Sequence, residues 1–215
     1  MVNITIFIEG GRSHNPAAAT IDNTAVFREN FHKLFVQKLP STKFNLSIIP
    51  FGSITKARKM LQHIETQRIN AALLIDLDAP KEKKDERLGF YEPFDTTKIF
   101  FMIQEMEAWI LSQVDKIEKF GKNERLIRKK VDQDINDNPL LKEKHPEQIS
   151  KPSEKLKTIL RQYFDVVKIK GNKERKIGKR YVKAKDGPAL IGLLELHLLM
   201  QNFNEANKLV DYIKR

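Results

Sequence analysis

Cysteine is absent from the chain. Disulfides, thiolate zinc sites and cysteine nucleophiles are thereby excluded, and the absence fits a reducing compartment. Long apolar runs are missing as well, since nothing approaches the ~20 residues that a membrane-spanning helix needs. The N-terminal stretch Ile4 to Ile8 is too short for a secretory leader and has neither a basic start nor a cleavage site. The expectation is a cytoplasmic protein with no membrane partner. The five histidines (His14, His32, His63, His145, His197) lack zinc-site spacing, and there is no Gly-x-Ser-x-Gly elbow. Acidic residues are in the minority, 28 against 39 Lys and Arg, for a formal net charge of +11.

The basic excess is concentrated. Lys168 to Lys185 holds Lys168, Lys170, Lys173, Arg175, Lys176, Lys179, Arg180, Lys183 and Lys185 against Glu174 alone, which makes this segment +8 and the remainder +3. A polyanion is the first partner to consider. Nucleic acid comes before membrane, because no amphipathic apolar face interleaves these lysines. A solvated basic hairpin turning at Gly171 is the plainer reading of the same run. Gly171 to Arg180 is not a phosphate loop: the glycine spacing is wrong, and Arg180 stands where Ser or Thr would hold Mg²⁺.

The length of 215 residues allows one α/β domain with an appendage. Val2 to Ile8 reads as a strand ending at Glu9 before Gly10-Gly11, and Phe27, Phe31, Leu34 and Phe35 mark a helix over Asn23 to Lys38. Phe44 to Ile49 is a second strand stopped by Pro50, and Ser53 caps a helix bearing Ala57, Met60, Leu61 and Ile64. Ala71 to Pro80 contains an apolar run without helical period, closed by proline, as in a strand buried on both faces of a parallel sheet. Lys81 to Thr97 reads as a lid or solvated loop, Lys98 to Ile103 as a strand, Gln104 to Val114 as a helix. The β-α-β-α-β order predicts an α/β fold, a mainly parallel sheet flanked by helices, over residues 1–115.

Residues 116–215 read as a mostly helical, basic extension packed on that core. Phe120-Gly121 resembles a helix end, Ser153 a cap for a helix bearing Leu156, Ile159, Leu160 and Phe164. Asp165 to Ile169 and Arg180 to Ala184 read as extended. Leu190 to Met200 is apolar almost all round, hence a buried helix or the contact of a homo-oligomer, and Ala206, Leu209, Val210 and Ile213 form a last helix face. Asp132, Asp134, Asp137 and Asn138 lack the glycine and glutamate of a calcium loop.

Asp76 and Asp78 fall where the third strand ends, and side chains two apart on a strand emerge on one side. Open α/β sheets bind ligands at that carboxyl edge. If the first and third strands are neighbours, Glu9 joins them. Carboxylates near 4 Å apart repel by about 1 kcal/mol per pair in water and about 4 kcal/mol at an intermediate dielectric. Either one acid holds a proton or a hard divalent ion sits among them. At about 100° per residue, Glu107 lies in the middle of the apolar stripe Ile103, Met106, Ile110, Leu111 and Val114, so it needs a partner. It is a core glutamate bonded to a backbone group or paired with Arg, or else a metal ligand or base. Trp109 reads as packing.

Ile8-Glu9-Gly10-Gly11, Phe27-Arg28-x-x-Phe31, Leu74-Ile75-Asp76-x-Asp78 and Gln104-Glu105-Met106-Glu107-Ala108-Trp109-Ile110-Leu111 follow one another in this order. Tyr181-Val182-Lys183 and Asp186-Gly187-Pro188 follow near the end. Together they resemble the Toprim fold of topoisomerases, primases and overcoming-lysogenisation-defect nucleases. More narrowly, they resemble a poorly characterised bacterial Toprim-related family encoded beside AAA-type ATPases in phage-defence and retron-like loci. The resemblance implies Glu9 as general base or acid and metal ligand, and Asp76 and Asp78 as ligands of Mg²⁺ or Mn²⁺. It implies Glu107 and Lys183 as the remaining members of a two-metal nuclease site, and an AAA-type ATPase as partner. Arg12, Arg28, Lys176, Lys179, Arg180 and Lys183 are then the cations that hold nucleic acid. Arg12 and His14 stand where many Toprim nucleases carry an acid, which leaves the second metal open.

Three functions compete at this point. A metal-dependent nuclease acts on DNA or RNA; a non-catalytic subunit docks the same cleft on nucleic acid or an ATPase; a phosphatase uses Asp-x-Asp. The last pattern wants its pair on the first strand and Thr two residues after the second Asp, whereas here the pair follows the third strand and Pro80 occupies that position.

Overall fold

The computed structural model describes residues 1–11, 23–170 and 173–215. Four strands, β1 (Val2–Glu9), β2 (Phe44–Gly52), β3 (Ala71–Asp76) and β4 (Ile99–Met102), form an all-parallel sheet in the order β2-β1-β3-β4. Helices α1 (Asn23–Phe35), α2 (Ala57–Thr66) and α3 (Lys84–Gly89) lie in the connections. β3 is buried at every position, as its unbroken apolar run requires. Ile4, Ile6, Ile8, Ala72, Leu74, Phe100 and Met102 face one way, against Phe27, Phe31, Leu34 and Phe35 of α1. Phe7, Leu73, Ile75, Ile99 and Phe101 face the other, against Ala57, Leu61 and Ile64 of α2.

The chain runs from β1 out to β2 and returns on the far side of β1 to place β3. That reversal leaves a crevice between the carboxyl ends of β1 and β3. β2 continues through Pro50 to Gly52, because it is an edge strand and its proline costs no central ladder bond. Gly10 and Gly52 bridge antiparallel, and Gly11 has φ +75° with Pro50 Cβ only 2.6 Å from where its own Cβ would stand. The glycine pair is there to let two strand ends cross closely.

Lys81 to Thr97, expected as a lid or solvated loop, is mostly exposed but ordered and pinned to the sheet at a few points. A 3-10 turn and α3 occupy its first half, Tyr91 is buried, and Leu88 and Phe94 pack on the α2 side of the sheet. The expected helix over Gln104 to Val114 is shorter, α4 (Met106–Leu111), because Gln104 has φ +64° and Glu105 is extended. It is followed by α5 (Val114–Asn123), which passes straight through Phe120-Gly121. Gly121 ends nothing; a Cβ there would run into the Phe164 ring.

The rest of the chain forms β5 (Ile127–Arg128), α6 (Pro152–Tyr163), β6 (Phe164–Lys170), β7 (Lys173–Gly178), α7 (Lys183–Ile191), α8 (Leu196–Asn202) and α9 (Asn204–Lys214). β5, β6 and β7 make a second, antiparallel sheet in that order. Ser153 lies in the first turn of α6 and caps nothing; its N–H donates to Glu105 Oε2 at 2.7 Å, so the cap is a distant carboxylate. Arg180 to Ala184 is not a strand, since α7 starts at Lys183. The apolar stretch Leu190 to Met200 breaks between α7 and α8, and Leu190, Ile191, Leu194, Leu196 and Leu199 are spent on the chain's own core. Gly171, where the basic turn was placed, lies outside the described residues. The extension packs on the parallel sheet, α7 against α1 and α9 against β4, and one continuous apolar core runs from Ile4 to Ile213. Among the described residues no helix is long and apolar enough to cross a membrane.

Gly121 and Gly89 give opposite tests of these contacts. Alanine in a helix interior normally gains up to ~1 kcal/mol over glycine. Gly121→Ala should instead lose about 1–3 kcal/mol by overpacking on Phe164, whereas Gly89→Ala, with open space around it, should be neutral or stabilising. Urea midpoints of the two variants decide the matter.

Candidate active site

Glu9 is the last residue of β1, and both its oxygens accept backbone N–H groups. Oε1 takes that of Ile54 at 3.0 Å and Oε2 that of Asp76 at 3.1 Å. The side chain thus stitches the ends of β1 and β3 to the turn after β2. Asp76, 7 % exposed, accepts the N–H of Met106 at the start of α4 on Oδ1 (2.8 Å) and faces Lys183 Nζ with Oδ2 (3.3 Å). The chain then turns: Asp78 has φ +53° and donates its N–H to the carbonyl of Gln104 at 2.7 Å. Asp76 and Asp78 are therefore not neighbours on one extended strand as the spacing implied. Asp76 is in the floor of the crevice and Asp78 is exposed at its mouth.

Glu107 is fully buried. Its Oε1 accepts from Tyr181 Oη at 2.8 Å, and its Oε2 lies 3.3 Å from Lys183 Nζ without a directed hydrogen bond from any described group. Lys183, in the first turn of α7, therefore spans Asp76 and Glu107 with one ammonium. The residues alone suggested a proton or a metal among these acids, and the resemblance set Lys183 with them; in the structure that lysine, from the far end of the chain, stands as a countercharge between two of them. It does not complete the balance, because four carboxylates and one ammonium sum to a formal −3.

The ionisation of the cluster follows. Burial pushes the Asp76 carboxyl up to about 7, with Lys183 opposing and Glu107, Glu9 and Asp78 adding to the rise. Burial also raises Glu9, more than its two N–H donors lower it, and raises Asp78 against the pull of Lys183. Burial works against the charge on Lys183, but Asp76 and Glu107 outweigh it and hold the ammonium above its ordinary value. Tyr181 is raised by burial and by Glu107, so it stays a donor.

The set is one of hard oxygen donors, and Glu107 Oε2 is a buried oxygen with no hydrogen bond, so the residues suit Mg²⁺ or Mn²⁺ in kind. Among the described residues no three of His, Cys, Asp and Glu stand close enough to form a ready-made cage. The fit is to an ion held by one or two carboxylates that keeps several waters, the usual manner of Mg²⁺.

The cations expected to hold nucleic acid divide. Lys179 is buried and paired with Asp186 at 2.5 Å, its Nζ also donating to the Arg180 carbonyl at 2.9 Å, so it cannot serve a phosphate. Lys183 faces the carboxylates. Lys176, Arg180 and Arg28 are exposed, without ion pairs among the described residues, and Arg12 lies outside them. Sequence reasoning gave no part to Tyr181 beyond its place in a motif and missed the Lys179–Asp186 pair. Asp186 Oδ2 also accepts the Val182 N–H at 2.8 Å, which fixes the turn that presents Lys183. An acid four residues beyond the residue preceding the helix was the available signal.

The sequence model of a family described as a domain of unknown function (DUF4276) matches residues 28–214. No curated protein and no solved structure matches the chain.

A carboxyl whose pKa is higher folded than unfolded stabilises the fold while protonated. For Asp76 that contribution is complete below about pH 4 and is lost as pH rises through about 7. Glu9 and Asp78 act in the same direction. In EDTA the thermal midpoint should therefore fall from pH 5 to pH 8, with about 3 kcal/mol of stability lost from Asp76. Asp76→Asn, which keeps an acceptor for Met106, should flatten the profile; calorimetry at both pH values checks it.

Proposed function

The chain belongs to the family described as a domain of unknown function (DUF4276), and from the chemistry of its carboxylate cluster we propose that it is a Toprim-type, Mg²⁺- or Mn²⁺-dependent phosphodiesterase acting on nucleic acid. One observation carries the reading. Acids from the ends of two parallel strands, the turn beyond one of them and a buried helix converge at the sheet's switch point, with a net negative charge that one lysine leaves unbalanced.

Asp76 and Glu107 would hold the ion, with Glu9 and Asp78 beside them. When bound, such an ion supplies a water of lowered pKa and stabilises charge on the phosphate and leaving oxygen. The chain's own groups do the rest. Glu9 fixes the two strand ends by its backbone bonds, and Tyr181 orients Glu107 through Oε1. Lys183, once relieved of Asp76, offers its ammonium to the negative charge that builds on the phosphate. Lys176 and Arg180 stand free to meet the backbone. The setting implied by the resemblance, phage defence with an AAA-type ATPase partner, belongs to the same proposal.

A second reading has its own support. Lys183 already lies between Asp76 and Glu107, so these three side chains can serve as a structural tie in a non-catalytic binding subunit.

Incubation with Mg²⁺ or Mn²⁺ and plasmid, single-stranded DNA or RNA separates the readings. Cleavage by the wild type should fall about 100-fold or more in Asp76→Ala and in Glu107→Gln. Equal residual cutting by wild type and variants would favour the binding subunit. Turnover of an aryl phosphate monoester without phosphodiester cleavage would favour the phosphatase.

A further inference from the structure

The pairing register of β6 and β7 sorts the basic run onto faces. Val166 lies opposite Ile177, Lys168 opposite Arg175 and Lys170 opposite Lys173, while Val167 lies opposite Lys176 and Ile169 opposite Glu174. Paired residues share a face and successive pairs alternate. One face thus carries Lys168, Arg175 and Lys173 with no acid. The other carries Val167, Ile169, Lys176 and the only acid of the outer hairpin, Glu174.

Two features of this arrangement work against the free protein. Lys168 and Arg175 are like charges set directly opposite, which weakens a β pair. Neither they nor Lys173 has an ion-pair partner among the described residues, and all three are exposed. The hairpin is also thinly supported. β5 pairs only with Phe164 and Asp165 at its base, so from Val167 to Lys176 it projects as two strands. Val167, Ile169 and Ile177 remain exposed, Ile169 by 74 %. A two-stranded ribbon of this kind is marginal alone.

We propose that the outer β6–β7 ribbon is a docking arm for B-form duplex DNA, its Lys168–Arg175–Lys173 face laid along the major groove. Charge complementarity selects a polyanion, and the proposed phosphodiesterase reading, on which this inference rests, selects nucleic acid among polyanions. Shape selects the duplex. Two strands about 4.8 Å apart, with their side chains, match a major groove about 12 Å wide. The deep, narrow major groove of A-form RNA does not admit them. Single strands offer no groove. The long side chains of the three cations reach the phosphates that line both rims of the groove, and neutralising those phosphates supplies the sequence-independent part of the binding.

Fluorescence anisotropy in EDTA, where nothing is cut, tests the arm apart from the catalytic centre. The probes are a 20-bp DNA duplex, the matching RNA duplex and one DNA strand. The full-length wild type should bind the DNA duplex most tightly. The triple variant K168A/K173A/R175A should bind it at least about tenfold more weakly, with the slope of log K against log salt reduced by roughly 2.7, about 0.9 per cation. A charge-matched control, K33A/K38A/K43A, removes exposed lysines elsewhere and should stay within about twofold of wild type. Arg175→Gln, a milder change, should give part of the loss if the triple variant folds poorly by circular dichroism. Equal losses in the hairpin and control triples, equal affinity for RNA duplex or single strand, or no binding by wild type would each overturn the arm. Binding that persists without any cleavage in Mg²⁺ would overturn the phosphodiesterase reading and leave duplex docking intact.

Discussion

One ammonium holds the candidate centre together. Lys183 reaches Asp76 and Glu107 at 3.3 Å each, and without it two buried acids would face one another in surroundings where like charges cost about 4 kcal/mol per pair near 4 Å. That requirement explains the polar framework around it. Lys179 and Asp186 pair in the core and Asp186 holds the Val182 N–H, so the turn before α7 is fixed at the point from which Lys183 extends. Tyr181 then satisfies the Glu107 oxygen that the lysine does not face.

The sheet does comparable work on the other side. Its strand order places the ends of β1 and β3 side by side, and Glu9 locks them by accepting an N–H from each of two neighbouring segments. Asp76 in turn caps the start of α4, which brings Glu107 beneath the crevice. Glu9 and Asp76 are thus also joints between elements, their geometry set by backbone donors, whereas Glu107 is held by the Tyr181 hydroxyl and Lys183.

The sequence carried the parallel sheet clearly, because a run such as Ala71 to Ile75 has few other uses and the alternation of strands and helices fixes the layer order. Glu9, Asp76 and Asp78 could be placed at one edge for the same reason, and the position of Glu107 on an apolar stripe announced a buried partner without identifying it. What could not be read were effects of distance along the chain. Lys179 and Lys183 belong to a run that looks uniformly solvated, yet one is buried against Asp186 and the other lies between Asp76 and Glu107; the resemblance alone set Lys183 apart, and nothing local distinguishes Lys179 from Lys176. Gly121 looked like a helix end because the ring of Phe164, which makes glycine necessary, lies 43 residues away. The left-handed turn at Asp78 was hidden because it answers to the carbonyl of Gln104, not to its own neighbours.

Every strand of the parallel sheet lies before Met106, yet the countercharge to its acids comes from residue 183. The sheet-bearing half is therefore not a module that can be borrowed or trimmed. A fragment ending after α5 would retain Glu9, Asp76, Asp78 and Glu107 but forfeit the ammonium that lies between Asp76 and Glu107, and it would bare the surface of α1 that α7 covers. Insertions, fusions and nicks between α5 and α7 bear on the acids directly, however far from them they fall along the chain.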